Sequence, residues 1–515
     1  MTRFAILTTL MAGWVSTACA LKPATPFTDH MVLQRQMPVP VWGRGEPGRT
    51  VIVSVQGKSA RAEVGKDGRW RCELPALKAS EKPLVFTISD GATTIELKDV
   101  LVGEVWICCG QSNMEMGRGA VPEINALANE AEAEHRPVRS FWVPQAIAFE
   151  EQERCRGAWT SNPSGSAIAA GFEVLLQKAA GVPVGVVQTA WGSSSIEGWT
   201  PATLTNALPH FREQLERDVF ACRDLVQKVI DQSKKTNGRI KRYSEDPEEE
   251  KRLNEKYRAA NIFARTRPNL LYNAMLHPFI PMACRGMVYY QGESNGKTYD
   301  DMVRYRTSQR VWLDELRRRW GREDLYFLSV MLPGFGRTVK SGPHSEDLEA
   351  PDAHSWAIIR DSQLAILDDP PSGVANTIDL GEAKKIHPKD KLPVCERLVL
   401  IVRHDVLGEK DLTAFGPMFD KIRFTGRRVS IAFDHAKGLT TTDGEPPKAF
   451  WISEDGSTWV KPEEARIVEH RGVMLVAPAG TRPKYVRYAY AAKPRVNLVN
   501  GAGLPAYPFT TLPDE

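Results

Sequence analysis

Gly110-Gln111-Ser112-Asn113-Met114 follows directly on the apolar run Val105-Trp106-Ile107-Cys108-Cys109. A serine placed where a buried strand turns toward a helix holds its hydroxyl at the C-terminal edge of a sheet, where open α/β folds build their sites. An unassisted serine hydroxyl is a weak nucleophile, so it needs a base within reach and donors for the oxyanion that its attack creates. A single Gly-x-Ser segment is common and is explained equally well by a serine-capped turn. Here three further segments accompany it. Val186-Val187-Gln188-Thr189-Ala190-Trp191-Gly192-Ser193-Ser194-Ser195 and Val288-Tyr289-Tyr290-Gln291-Gly292-Glu293-Ser294-Asn295 are two strand-then-glycine stretches, and Ile386-His387-Pro388-Lys389-Asp390-Lys391 closes the series. His387 is the candidate base, because an imidazole titrates at about 6.5, near working pH. Gly192 has no side chain to keep a substrate from its amide.

Taken together, the four blocks resemble the SGNH (GDSL-like) hydrolases and, more narrowly, the sialate O-acetylesterase-like carbohydrate esterases, whose hallmark segments look like GQSNM, WGSSxIExW, YYQGESN and HPxDK. The likeness covers most of the chain and extends to the closing stretch Asn497 to Ala506. It implies an α/β, three-layer SGNH-hydrolase fold with a parallel sheet, plus two accessory β-sandwich domains. It also implies a secreted serine esterase that removes O-acetyl groups from a carbohydrate through an acetyl-serine intermediate, with no cofactor and no metal ion. In that resemblance Ser112 is the nucleophile and His387 the base. The Ser112 and Gly192 N–H groups serve the oxyanion with a side-chain amide from Asn295 or Gln291, Asn295 being ranked ahead. Trp191, Trp199 and Tyr290 lie beside these residues in sequence and have faces suited to a pyranose ring, core packing being the equally weighted alternative. Glu197 is placed with the substrate, and Glu293 orients either an amide or the substrate unless backbone donors satisfy it. Arg267, near Leu270-Leu271-Tyr272-Asn273, matches a segment lining the site, and an arginine there could recognise a carboxylate such as that of sialic acid. Acetylated xylan or pectin side chains stay open as substrates.

One departure concerns the imidazole. SGNH hydrolases carry aspartate three residues before the histidine, and the narrower group often has an acid just before it, whereas Lys384 and Lys385 fill those places here. Glu382, or Asp379, becomes the acidic partner if the loop folds back. Otherwise a main-chain carbonyl holds the tautomer and the pair is a dyad. The lysines also predict a lowered histidine pKa through like-charge repulsion. Alternative readings are an acetylxylan or other polysaccharide deacetylase, a catalytically weakened carbohydrate-binding protein on the same scaffold, and a serine peptidase.

The elements that must position these residues fit a chain of 515 residues, long enough for two to four domains. With 67 basic and 63 acidic side chains, and no basic face with interleaved aromatics, neither a nucleic-acid partner nor an anionic membrane is implied. The Arg317-Arg318-Arg319 run reads as the solvated end of a helix. Residues 1–20 read as an export signal ending at Ala18-Cys19-Ala20, giving a secreted or periplasmic protein; lipidation at Cys19 is the competing, less favoured reading. No apolar run approaches the roughly 20 residues needed to span a bilayer. The cysteine spacings do not suggest a zinc site, one or two disulfides are possible, and oligomeric state is left open.

Along the chain, residues 24–100 alternate as an antiparallel β-sandwich with turns at Asp67-Gly68 and Asp90-Gly91. Residues 101–410 read as the hydrolase domain, with about five parallel strands at 105–109, 184–190, 286–290, 325–332 and 374–380, and a charged helical insertion at about 203–265 that includes Glu248-Glu249-Glu250-Lys251-Arg252. Residues 411–483 read as a second β-sandwich in which Val429, Ile431 and Phe433, and Val473, Leu475 and Ala477, alternate. Residues 484–515 return to the hydrolase domain.

Overall fold

The computed structural model describes residues 20–513, apart from 221–222, 225, 229–230, 232–245, 249–250, 252–254, 256–260, 337–346 and 352–355. The export-signal reading, Cys19 and Cys222 therefore lie outside the described residues, as does most of the charged run in the insertion.

Gly110, the first residue of the serine block, ends a 17-residue strand, Thr94–Gly110. Its first residues alternate between exposed and half-buried and pair antiparallel with Ser80–Ser89 around the Asp90-Gly91 turn. From Val100 onward every residue is buried; Val100 and Val102 still face Leu84 and Ser80, and from Glu104 the strand lies inside a parallel sheet covered on both faces. It pairs parallel with Val184–Ala190 on one side and Gly286–Tyr290 on the other. Tyr326–Val330 and Ser372–Ala375 extend the sheet beyond the latter, and Val138–Trp142 extends it beyond the former. The sheet thus has six parallel strands where the apolar runs predict about five. Val138–Trp142 was missed because Arg139 and Ser140 interrupt the apolar pattern; Ser140 is buried with its hydroxyl on the Asn162 carbonyl.

Helices cover both faces, as the period-two alternation of a strand requires. On one face, a Cβ added at Gly171 would meet Cys395 Sγ at 2.6 Å and Ile124 Cδ1 at 2.7 Å, so the helices Pro122–Ala133, Ala167–Ala180 and Leu392–Asp405 pack closely together. On the other, the Tyr289 ring lies 4.7 Å from Trp312 of the helix Tyr299–Trp320. Cys108 and Cys109 are fully buried as small apolar residues between these layers. The six described cysteines are all unpaired, so no disulfide forms among them.

The result is a mixed α/β protein with one large mixed sheet and additional antiparallel sheets. The Asp67-Gly68 turn does not close a hairpin. The strands it joins, Lys58–Glu63 and Arg69–Leu74, pair with different partners in different sheets. Val429, Ile431 and Phe433, with Val473 and Leu475, face the core of a four-stranded antiparallel sheet, as alternation predicts. Tyr485–Tyr488 pairs with Phe450–Ser453 and Phe509–Thr510, while Tyr507 Oη donates to the Val374 carbonyl at 2.7 Å and Arg360 donates to the carbonyls of Ala491 and Ala492. The closing segment therefore touches both the C-terminal strands and the edge of the central sheet. The Arg317-Arg318-Arg319 reading needs correction: Arg317 is buried and donates to carbonyls at Asp369 and Pro371, because the helix end packs against that loop. No helix among the described residues is long and apolar enough to cross a membrane.

Glu104 joins the N-terminal strands to this sheet. Its buried carboxylate accepts from Arg35 Nε at 2.7 Å, Arg285 Nε at 2.9 Å and Gln34 Nε2 at 3.1 Å. Burial pushes its pKa up, and the hydrogen bonds and charge of Arg285 and Arg35 outweigh that push, holding it below the usual carboxylate range. Glu104→Ala strips two guanidinium groups of their shared acceptor and should cost about 3 kcal/mol in chemical denaturation.

Candidate active site

Three of the four blocks meet because three neighbouring parallel strands end in register, Ala190 opposite Gly110 and Gly110 opposite Tyr290. Trp191 N–H donates to the Gly110 carbonyl and Gln111 N–H to the Tyr290 carbonyl, both at 3.1 Å. Gly110 needs to be glycine: its φ is +150°, and a Cβ there would lie 2.1 Å from the Tyr290 oxygen. The chain then turns into a four-residue helical segment, Ser112–Glu115, whose first N–H groups have no intrahelical acceptor.

His387 arrives from the loop between the strand Ser372–Ala375 and the helix Leu392–Asp405. Its Nε2 lies 2.8 Å from Ser112 Oγ across 275 residues of sequence. The residue capping the following helix is Lys391, so His387 is not a helix cap. Among the described residues, the hydrogen bond of the His387 ring is the one between Nε2 and Ser112, and none is made at Nδ1. Glu382 does not reach it, being paired with Lys385 Nζ at 2.7 Å, and Asp379 is held by Arg397 at 2.7 Å. Of the two arrangements expected for the imidazole, the one in which Glu382 folds back onto it is not the one this conformation holds. Burial lowers the His387 pKa most, Lys391 lowers it further, and Glu115 raises it.

The amide assignments also change. Asn295 Nδ2 is occupied by both Glu197 oxygens at 3.1 Å, and its Oδ1 accepts from Ile196 N–H and Gln291 Nε2. Gln291 Nε2 is satisfied by Gln111 Oε1, the Ser194 carbonyl and Asn295 Oδ1. Neither amide presents a free donor to the nucleophile. Gln291 Nε2 and the Ser294 N–H hold Gln111 by donating to its Oε1. Gln111 Nε2 is consequently the side-chain amide at the serine, 3.5 Å from Ser112 Oγ. Gly192 is packed against Ser112, where an added Cβ would lie 3.4 Å from the serine Cβ, but its N–H donates to Glu115 Oε2 in this conformation. Glu115 Oε1 in turn accepts from Gln145 Nε2.

Of the residues expected near the substrate, Trp191, Trp199, Tyr290, Glu197 and Glu293 are buried. Trp199 is fully buried with its Nε1 on Ser194 Oγ at 2.9 Å, and Tyr290 is buried with Lys391 Nζ 5.0 Å from its ring centroid. Glu197 is buried under Asn295, and burial pushes its carboxyl pKa up. Trp191 is buried with the Arg265 guanidinium 4.7 Å over its ring, and Arg265 also donates to the Gly192 carbonyl. Arg267 instead sits over Phe263 at 4.1 Å. Arg265, two residues from Arg267, is thus the arginine that bonds to the Gly192 turn.

Glu293 belongs to a buried cluster with two residues not singled out from sequence, Asn113 and Lys391. Asn113 Nδ2 donates to Glu293 Oε1 and, at 3.0 Å, to the Ile386 carbonyl; Asn113 Oδ1 accepts from Lys391 Nζ at 2.6 Å. Both stood inside quoted blocks, and the signal available was their position, one residue after the serine and four after the histidine. Among the described residues no group of three or more His, Cys, Asp or Glu side chains is arranged to hold a metal ion.

Residues 102–230 match the profile of a family described as carbohydrate esterase, sialic acid-specific acetylesterase. The chain is similar to the sialate O-acetylesterase of Rattus norvegicus, at 26% identity over 95% of this chain and 93% of the relative. The sialate O-acetylesterase of Homo sapiens is 26% identical over 79% of this chain and 75% of its own length. Among solved structures, a carbohydrate acetylesterase from Xanthomonas citri is similar with a TM-score of 0.76 and 29% identity, covering 95% of this chain and 99% of that one.

Glu115→Gln keeps an acceptor for Gly192 N–H while removing the negative charge that favours protonated His387. The imidazole pKa should fall, so the acid limb of kcat/KM should move to lower pH on any substrate the site turns over. A pH–rate profile checks the direction.

Proposed function

We propose, for this sialate O-acetylesterase-like carboxylic ester hydrolase, that Ser112 and His387 act as a dyad to remove O-acetyl groups from a carbohydrate. The observation that carries this reading is the 2.8 Å contact between Ser112 Oγ and His387 Nε2 at the rim where the strands end. Ser112 Oγ attacks the acetyl carbonyl as its proton passes to Nε2. The tetrahedral oxyanion is met by the Ser112 N–H and by Gln111 Nε2, with Gly192 N–H joining when Glu115 turns aside. Collapse breaks the bond to the sugar oxygen, which takes the proton back from Nε2. Water, deprotonated by the same imidazole, then hydrolyses acetyl-Ser112 and releases acetate. A lowered His387 pKa keeps the base neutral at neutral pH.

In this reading residues 101–410 form a hydrolase unit of the SGNH type, 24–100 and 411–483 are accessory β-sandwich domains and 484–515 return to the hydrolase; the large mixed sheet with separate antiparallel sheets supports it. The N-terminal pattern supports export. Arg265, a cation beside the nucleophile, supports a carboxylate-bearing sugar such as an acetylated sialic acid. The Ser112–His387 contact favours an enzyme over a binding protein that has lost activity.

On an acetylated chromogenic ester, Ser112→Ala should lose at least about 10³-fold in kcat and His387→Ala at least about 10²-fold. Glu382→Ala should stay within about 2-fold, because its carboxylate serves an exposed pair with Lys385. A folded Ser112→Ala protein with full turnover would overturn the nucleophile assignment, and a Glu382→Ala loss equal to that of His387→Ala would restore a triad.

A further inference from the structure

Lys391 is an ammonium with 1% of its surface exposed, and nothing in the reaction sequence above uses it. It is not closed in a contact ion pair. Its only short polar contact among the described residues is Asn113 Oδ1 at 2.6 Å, with the Tyr290 ring face 5.0 Å away. For stability alone such an ion is a poor choice, because a methionine would fill the space without the desolvation penalty. Its placement is explained by what it holds.

We propose that Lys391 is a positioning residue of the reaction: through Asn113 it clamps the Ile386-His387 loop to the nucleophile turn, and its charge faces the imidazole that takes the Ser112 proton. This rests on the Ser112–His387 reading and extends it.

The clamp has only one possible orientation. An ammonium can only donate, so the Asn113 atom facing Lys391 is the amide oxygen. The amide nitrogen must then face the other way, toward Glu293 Oε1 and the Ile386 carbonyl, both of which are acceptors. That carbonyl belongs to the peptide unit whose nitrogen is His387, so fixing it fixes the root of the imidazole. Asn113 itself follows Ser112 directly. One amide therefore sets the nucleophile and the base relative to each other, and the lysine prevents it from flipping.

The electrostatic half of the proposal concerns the same atoms. The charged groups facing His387 are Lys391, at the start of the helix Leu392–Asp405, and Glu115, on the nucleophile turn. Those facing Lys391 are Glu293 and Asp390, with the Cys395 thiol. Burial pushes the Lys391 pKa down to about 8, with Glu293 opposing the push, so the ammonium is charged through the range in which His387 titrates.

The test compares Lys391→Met with wild type on an acetylated chromogenic ester, with kcat normalised to sites counted by an organophosphorus reagent. The expected result is a fall of about 10-fold in kcat with KM within 2-fold, and an acid limb displaced to higher pH, so that activity at pH 5.5 relative to pH 7.5 drops about 3-fold further. Lys391→Arg, which keeps a charged donor, should recover part of the kcat and return the limb toward its original position. Should Lys391→Met not fold, Lys391→Gln keeps a donor for Asn113 without the charge and should show the displaced limb alone. Wild-type kcat and an unmoved limb in a folded neutral variant would overturn the proposal. That failure is distinct from failure of the dyad, which would appear as turnover retained by Ser112→Ala.

Discussion

Gly110 is hydrogen-bonded into both of its neighbours at once, through its own carbonyl to Trp191 and through the next amide to Tyr290. Because the three strands run parallel and end opposite one another, the segments that follow them must leave the sheet side by side. The order of the sheet reverses at this central strand, and the crevice at such a switch point is where an open parallel sheet leaves room for a site. A side chain at Gly110 would strike the Tyr290 carbonyl and separate the nucleophile turn from the amide layer beneath it. The rest of the site depends on this close approach.

Below the serine lies a layer of buried amides and carboxylates. Gln111, Gln291, Asn295 and Glu197 satisfy one another, while Asn113, Glu293 and Lys391 form a second group toward the histidine loop. In both groups an amide has its orientation imposed by neighbours that can only donate or only accept, which is how a buried polar network becomes rigid. The Ser112–His387 pair sits above this layer with fewer constraints of its own. His387 touches Ser112 but has no described carboxylate behind it, and the charges that tune it, Lys391 and Glu115, have opposite signs.

Much of this was legible in the sequence. The buried runs located five of the six parallel strands, the alternating valines and isoleucines located the flanking antiparallel sheets, and the serine and histidine blocks led to two side chains that the structure brings into contact. The misses have physical causes. Val138–Trp142 carries Arg139 and Ser140 in a strand, so it lacks an apolar run. For Trp191, Trp199 and Tyr290 the sequence leaves sugar stacking and core packing equally open, because position next to Ser112 does not reveal which face of a strand or turn a ring occupies; all three are buried. Asn295 and Gln291 are expected at the oxyanion from the resemblance, and in the structure the Asn295 amide nitrogen bonds to Glu197 and that of Gln291 to Gln111, the Ser194 carbonyl and Asn295. The Asn113–Lys391 contact spans 278 residues, and no local pattern encodes it.

The central claim is that Ser112 is made reactive by His387 and by nothing else of comparable weight. The most direct measurement is the site and rate of covalent labelling by a phosphonate ester, with the modified peptide identified by mass spectrometry. The account predicts a single modified residue, Ser112, labelled at a rate that rises with pH as His387 loses its proton and that collapses in His387→Ala. Labelling at another residue, or labelling of Ser112 at an undiminished rate without the imidazole, would contradict it.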